Sequence, residues 1–208
     1  TMNYEAIRRQ IVEYAQKLYH DRLVSCTSGN ISVRIPSQPQ LMAITPGSED
    51  YLTMTPERIV ITTLDGEVVD GEAHPSSEWR LHAGIYRARP DVGAVVHTHS
   101  AYATAFAVLH QPVPVCLSEM IPWLGGEIAV APFCIPGTPE LADTALPLLN
   151  GRHACLLGNH GVVAIADTLP LAYTRAAYVE DAARVCWLAR MAGQPVLLTE
   201  DEIRAVRG

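Results

Sequence analysis

The chain has 208 residues, 49% hydrophobic and 18% charged, with a formal net charge of −7. That length and composition suit one compact domain spanning residues 1–208 with a core large enough to fold unaided. The acidity argues against a broad nucleic-acid-binding face, because phosphate backbones are held mainly by clustered Lys and Arg, although small anions can still bind locally. The five cysteines are scattered without a Cys-x-x-Cys pair, so they point to a reducing cytoplasm rather than a disulfide framework. The polar start TMNYEAIRRQ lacks the apolar core of a signal peptide, and no apolar run approaches bilayer-spanning length, so no membrane partner is expected.

In chain order, Ile7, Ile11, Tyr14, Ala15 and Leu18 recur at helical spacing, which predicts a surface helix over 4–23 with one buried face. Three short runs, NISVRI, LMAIT and RIVITT, predict strands over 30–35, 41–45 and 58–63. The last passes through Leu64-Asp65-Gly66 into EVVDG as a hairpin. Pro75-Ser76-Ser77-Glu78 precedes the helical run WRLHAGIYRA, which stops before Pro90. Ser77 is its expected cap, because a hydroxyl there can accept a free backbone N–H. Then follow a strand GAVVH, a helix over 102–109, a Pro-rich connection and a helix over 139–149. The strand pair ACLLGN and GVVAIA comes next, and the longest helix runs over about 169–191. Mixed strands and helices predict a sheet covered by helices, class α/β or α+β.

The strand GAVVH leads into His97-Thr98-His99. On a strand, residues two apart point to one face, so both imidazoles can aim at a shared ion while Thr98 faces away. A zinc-type ion needs neutral imidazoles, and a catalytic site typically keeps three protein ligands and one open position. His160 is the expected third ligand, held in Gly158-Asn159-His160-Gly161, where flanking glycines permit a tight turn and close approach. His82 lies four residues after Glu78 on the same helix face, and a buried supporting or packing role is expected for it. His20, His74, His110 and His153 have no partner at a telling spacing and read as surface or structural residues.

Three stretches have the chemistry to hold a phosphate without a basic patch. Thr27-Ser28-Gly29-Asn30 and Thr45-Pro46-Gly47-Ser48 offer hydroxyls, an amide and permissive glycines; Pro75-Ser76-Ser77 precedes a helix, whose free N–H groups and dipole favour negative charge. Each alone is an ordinary turn or cap sequence. Their joint presence with the histidines gives them weight.

Read in order, TSGNISVR, ITPGS, PSSEWRLH, VVHTHS and GNHG resemble the class II aldolase/adducin family, closest to its L-fuculose-1-phosphate aldolases. The resemblance covers nearly the whole chain. It implies a three-layer α/β/α fold around a central, largely antiparallel mixed sheet, assembled as a homotetramer. It also implies one Zn2+ per subunit on His97, His99 and His160, Glu78 as the catalytic proton-transfer residue, and substrate phosphate held by Thr27, Gly29, Asn30, Thr45, Gly47, Ser48, Ser76 and Ser77. The second loop departs from the pattern, because relatives commonly carry Thr-Pro-Ser-Gly or Thr-Pro-Thr-Gly there.

The activity so implied is reversible cleavage of a ketose 1-phosphate, of the L-fuculose 1-phosphate or 5-deoxy-pentulose 1-phosphate type, into dihydroxyacetone phosphate and an aldehyde. Ser118 stands where the fuculose-phosphate enzymes carry a tyrosine proton donor, and the terminal EIRAVRG lacks their tail tyrosine. Apolar Ile121, Pro122 and Trp123 suit a deoxy or alkylthio tail, and Glu119 reads as an exposed loop acid. An L-ribulose-5-phosphate 4-epimerase-like enzyme is the alternative, disfavoured by Glu78 where epimerases read Ser-Ser-Asp. A non-catalytic adducin-like module is another, disfavoured by retention of all three histidines.

Overall fold

A computed structural model describes residues 4–208. Eight strands form one sheet: β1 (Asn30–Arg34), β2 (Leu41–Ile44), β3 (Val60–Thr63), β4 (Val68–Asp70), β5 (Ala94–Thr98), β6 (Val130–Ala131), β7 (Ala154–Leu157) and β8 (Gly161–Ala166). Their spatial order is β4-β3-β2-β1-β5-β8-β7-β6. Neighbours run antiparallel except β6 and β7, which are parallel.

The described residues form seven α-helices, α1 (Glu5–His20), α2 (Trp79–Ala88), α3 (Ala101–Val108), α4 (Met120–Leu124), α5 (Glu140–Ala145), α6 (Leu169–Ala192) and α7 (Glu200–Arg207), the last lying against α4. Strand alternation divides the core into two layers. Ala94 and Val96 of β5 enter a cluster with Ile11 of α1, Phe106 of α3, Leu124 of α4 and Val179 of α6. Val95 enters a second cluster with Leu81 and Ile85 of α2 and Leu141 of α5. The architecture is therefore the expected three-layer α/β/α fold around a largely antiparallel mixed sheet. His97, two residues beyond Val95, faces the α2 side.

Several boundaries differ from expectation for local reasons. The first helix stops at His20, and Arg22 takes a left-handed backbone with φ of 58°. Arg58 belongs to a 3-10 turn, so the strand begins at Val60. Pro147 turns the end of the 139–149 segment into a 3-10 turn after α5. The Pro-rich connection contains α4, and the C-terminal segment forms α7. No helix among the described residues is long and apolar enough to cross a membrane.

Candidate active site

Four side chains from three regions of the chain converge at the end of β5. The possible ligand atoms of Glu78, His97, His99 and His160 all lie within 4.8 Å of one another. His97 is fully buried on β5. His99 follows the strand, its amide tied to the Leu23 carbonyl at 3.1 Å. His160 sits in the turn between β7 and β8, after Asn159 in a left-handed conformation with φ of 54°. Gly161 makes this arrangement possible: a Cβ there would lie 2.4 Å from the Thr98 carbonyl oxygen, 3.1 Å from the His99 ring and 3.3 Å from the His97 ring.

Glu78 stands at the start of α2. The Ser76 hydroxyl accepts its backbone N–H at 3.3 Å, whereas Ser77, the expected cap, is exposed, and α2 starts without a side-chain cap bond. The segment before α2 is zipped to the loop after β2: Ser76 N–H donates to the Thr45 carbonyl at 3.0 Å and Gly47 N–H to the His74 carbonyl at 3.1 Å. The fully buried Thr45 hydroxyl accepts the Ile31 amide at 3.2 Å. Thr45 thus fastens this loop to β1, while Gly47, Ser48 and Ser77 are exposed, as is Thr27. Gly29 lies against the end of β5 with φ of 77°, where a Cβ would meet the His97 carbonyl oxygen at 2.7 Å. Tyr51 fixes it by donating to its carbonyl at 2.6 Å.

Asn30 pairs across the ladder with His97. Its amide nitrogen donates to Glu78 Oε2 at 2.8 Å, and its Oδ1 lies 2.5 Å from His82 Nε2. Both ends of this side chain are engaged within the site, which the loop sequence TSGN did not signal. Residues 30 and 78 meet only because β1 lies against α2. His82 is buried, as expected. His110, read from the sequence as a surface or structural residue, has a structural role: its Nε2 lies 2.6 Å from Asn159 Oδ1 and steadies the turn carrying His160.

The electrostatics fit a cation. His97 Nδ1 donates to the Val162 carbonyl at 2.7 Å, which turns Nε2 inward toward Glu78 Oε2 at 3.2 Å and His99 Nε2 at 2.9 Å. His160 Nε2 lies 3.2 Å from Glu78 Oε1, yet the buried Oε1 has no hydrogen-bond partner. Acceptor atoms crowded in this way repel unless a proton or a metal ion lies among them. Burial, reinforced by the neighbouring His97, drives His99 down to about 3 and His160 down to about 4, so both rings are neutral near pH 7.

Burial opposes charge on His97, but Glu78 and the Val162 carbonyl raise its pKa overall. Glu78 is itself buried in this cluster. Burial alone would raise its carboxyl; His97, His160 and the Asn30 amide instead hold it well below the usual range. Three imidazoles without a thiolate, one with its outer nitrogen on a backbone carbonyl, suit a divalent ion of borderline softness.

A centre of this kind, seated at a strand end beside hydroxyl-rich loops, is suited to metal-dependent catalysis. The Class II Aldolase and Adducin N-terminal domain model matches residues 9–187, and the chain belongs to that family. A 5-deoxy-D-ribulose 1-phosphate aldolase of Bacillus thuringiensis is 40% identical over 94% of this chain and 91% of its own length. A 5-methylthioribulose-1-phosphate/5-deoxyribulose-1-phosphate aldolase of Rhodospirillum rubrum is 37% identical over 97% and 89%. The L-fuculose phosphate aldolase of Escherichia coli K12 is 35% identical over 99% and 94%. A solved L-fuculose 1-phosphate aldolase superposes with a TM-score of 0.93 at 38% identity, covering 99% of this chain and 96% of that one. The chain is a lyase of the class II aldolase type.

Proposed function

We propose that the chain is a zinc-dependent aldolase cleaving a 5-deoxy- or 5-alkylthio-pentulose 1-phosphate reversibly into dihydroxyacetone phosphate and an aldehyde. The observation that carries the reaction class is the convergence of Glu78 with His97, His99 and His160 within 4.8 Å. The substrate class draws on the names of the Bacillus and Rhodospirillum relatives and on Ser118 standing in place of a tyrosine.

His97, His99 and His160 would hold one zinc ion per chain, which would supply Lewis-acid polarisation of the ketose carbonyl. The substrate phosphate would lie among the loops of Thr27, Gly29, Gly47, Ser48, Ser76 and Ser77. The exposed hydroxyls of Thr27, Ser48 and Ser77 are suited to an anion there. Thr45 would act through the loop it fastens, and Asn30 through the second hydrogen of its amide. Glu78 would deliver a proton to the carbon freed when the bond between ketose C3 and C4 breaks, and would remove that proton in synthesis. Ser118 donates to Glu119 Oε2 at 3.0 Å, and both are exposed, so neither replaces the absent tyrosine as a buried proton donor.

A cytoplasmic homotetramer completes this reading. Phe133 and Ile135 supply exposed apolar surface after β6, suited to contact with a second copy, and light scattering on the purified chain tests it.

The deciding experiment offers phosphorylated ketoses of differing chain length and terminal group, with release of dihydroxyacetone phosphate as readout. Turnover is expected to be fastest on the 5-deoxy and 5-alkylthio pentulose 1-phosphates. Preference for L-fuculose 1-phosphate would overturn the substrate assignment, and epimerised product would overturn the reaction. Glu78→Gln is expected to keep fold and zinc while lowering kcat by roughly a thousandfold, the scale of a lost proton-transfer group. Full activity in that variant would remove Glu78 from its role.

A further inference from the structure

Helix α2 carries Glu78 at its start and His82 and Tyr86 along it, at intervals of four residues, which is one face of a helix. Strand β1 carries Asn30 and Ser32 two residues apart, on one face of a strand. The two faces meet, and their side chains alternate in a buried row. Tyr86 Oη lies 2.8 Å from Ser32 Oγ, Ser32 Oγ 2.6 Å from His82 Nδ1, and His82 Nε2 2.5 Å from Asn30 Oδ1. The Asn30 amide nitrogen then lies 2.8 Å from Glu78 Oε2. None of Asn30, Ser32, His82 and Tyr86 is more than 3% exposed.

The chemistry of each group permits one direction along this row. A carboxylate only accepts, so Asn30 turns its NH2 toward Glu78 and its oxygen toward His82. His82 must then donate from Nε2. A neutral imidazole has a single N–H, so His82 Nδ1 accepts and Ser32 donates to it. Ser32 in turn accepts from Tyr86. Burial drives His82 down to about 3, reinforced by the charge of His97, and burial raises the Tyr86 hydroxyl, so neither end of the row changes protonation near neutral pH.

We propose that His82 is a positioning residue for the lyase reaction. Acting through Asn30, it fixes Glu78 Oε2 as a permanent hydrogen-bond acceptor and leaves Oε1 as the atom that carries the exchanged proton. Oε1 is the carboxylate oxygen without a hydrogen bond. If His82 no longer donated, the Asn30 amide would lose the bond that anchors its oxygen and its plane could swing, so Glu78 Oε2 would lose its fixed donor and the two oxygens their distinct roles. The proposal rests on Glu78 being the proton-transfer group.

Two measurements test it. The first needs no substrate: nitrogen-15 NMR of the His82 ring in the wild-type protein, with and without zinc. It should show a neutral ring protonated at Nε2 from about pH 5.5 to 8, although an ordinary histidine titrates in this range. An imidazolium or an Nδ1-protonated ring would overturn the row. The second compares His82→Leu, which fills the space without a donor, with His82→Gln, whose amide nitrogen can donate to Asn30. The Leu variant should lose at least about tenfold in kcat, as expected for a misaligned reacting group. Its KM and zinc content should stay near wild type, and Gln should restore most of the loss.

Unchanged kcat in folded His82→Leu, or equal losses in both folded variants, would overturn the proposal. Should the Leu variant not fold, Ser32→Ala removes the donor to Nδ1 and should give a mixed His82 tautomer with reduced kcat; an unaltered tautomer and kcat would overturn it. A wild-type chain inactive on every ketose phosphate would sink the lyase reading and the role of Oε1 with it. That failure is distinguishable because the tautomer measurement uses no substrate.

Discussion

At Glu78 and His97 a carboxylate and an imidazole lie 3.2 Å apart with almost no water around them. Their surroundings set the acid–base behaviour of the metal-free chain. His82 shows the sign most plainly, because it is fully buried and its folded value falls to about 3 through burial, reinforced by His97. In the unfolded chain the same ring takes up a proton near pH 6.5. As pH falls below that value the unfolded state binds a proton that the folded state refuses, so stability falls until the folded value is reached. The slope from this residue is about 1.4 kcal/mol per pH unit. Urea melts of metal-free protein at pH 7 and pH 5.5 should show His82→Gln losing less stability than wild type. Equal losses would mean that His82 titrates normally.

The grouping of His97, His99 and His160 was readable in the sequence because strand alternation and flanking glycines are local signals, whereas Glu78 entered only through the family resemblance. The double engagement of Asn30 was not readable, because it depends on residues 48 and 52 positions away in the chain.

Among elements, α3 begins directly after the histidine strand, and Ser100 at its N-cap makes no side-chain cap bond. Instead Glu180 of α6 accepts the Tyr102 and Ala103 amides at 3.0 and 2.9 Å, matching negative charge to the free donors of a helix start. Glu180→Ala should cost about 1–2 kcal/mol in chemical denaturation, the range for a lost helix cap. No loss would show that solvent satisfies those amides equally well. Gly161→Ala should cost about 1–3 kcal/mol from overpacking and weaken metal binding as well, measurable by competition with a chelating dye, since the added carbon abuts two of the histidine rings. Unaltered metal affinity would mean that the β7–β8 turn relaxes freely.

The long periodic helices α1, α2 and α6 were legible nearly to their ends. Helix α4 was not, being five residues long with Pro122 inside it. Helix α7 buries no residue, so hydrophobic periodicity is silent there. Its one signal was the Thr199–Glu202 capping box, in which each side chain meets the other's backbone amide.

Across the whole molecule, the sheet joins an N-terminal meander, β4-β3-β2-β1, to a C-terminal half, β5-β8-β7-β6, along the β1–β5 ladder. Asn30 and His97 are paired on that ladder at the edge of the site. A ligand that binds only the folded arrangement stabilises it by mass action, by about 4 kcal/mol when present at a thousand times its dissociation constant. Stripping the protein with a chelator should therefore lower its calorimetric Tm, and zinc should restore it. His99→Ala should show neither response; a chelator effect persisting in that variant would locate the stabilising ion elsewhere.

The order of strands along the chain also sets a timetable during synthesis. By the time residue 70 is made the meander is complete, yet β1, destined for the middle of the sheet, is still an open edge exposing Ile31 and Val33 and inviting pairing with a neighbouring nascent chain. It stays uncovered until residues 94–98 arrive, and the third imidazole is the last of the trio to leave the ribosome. Metal capture can then act only as a late latch, closing on a scaffold that had to stay out of aggregates without its help.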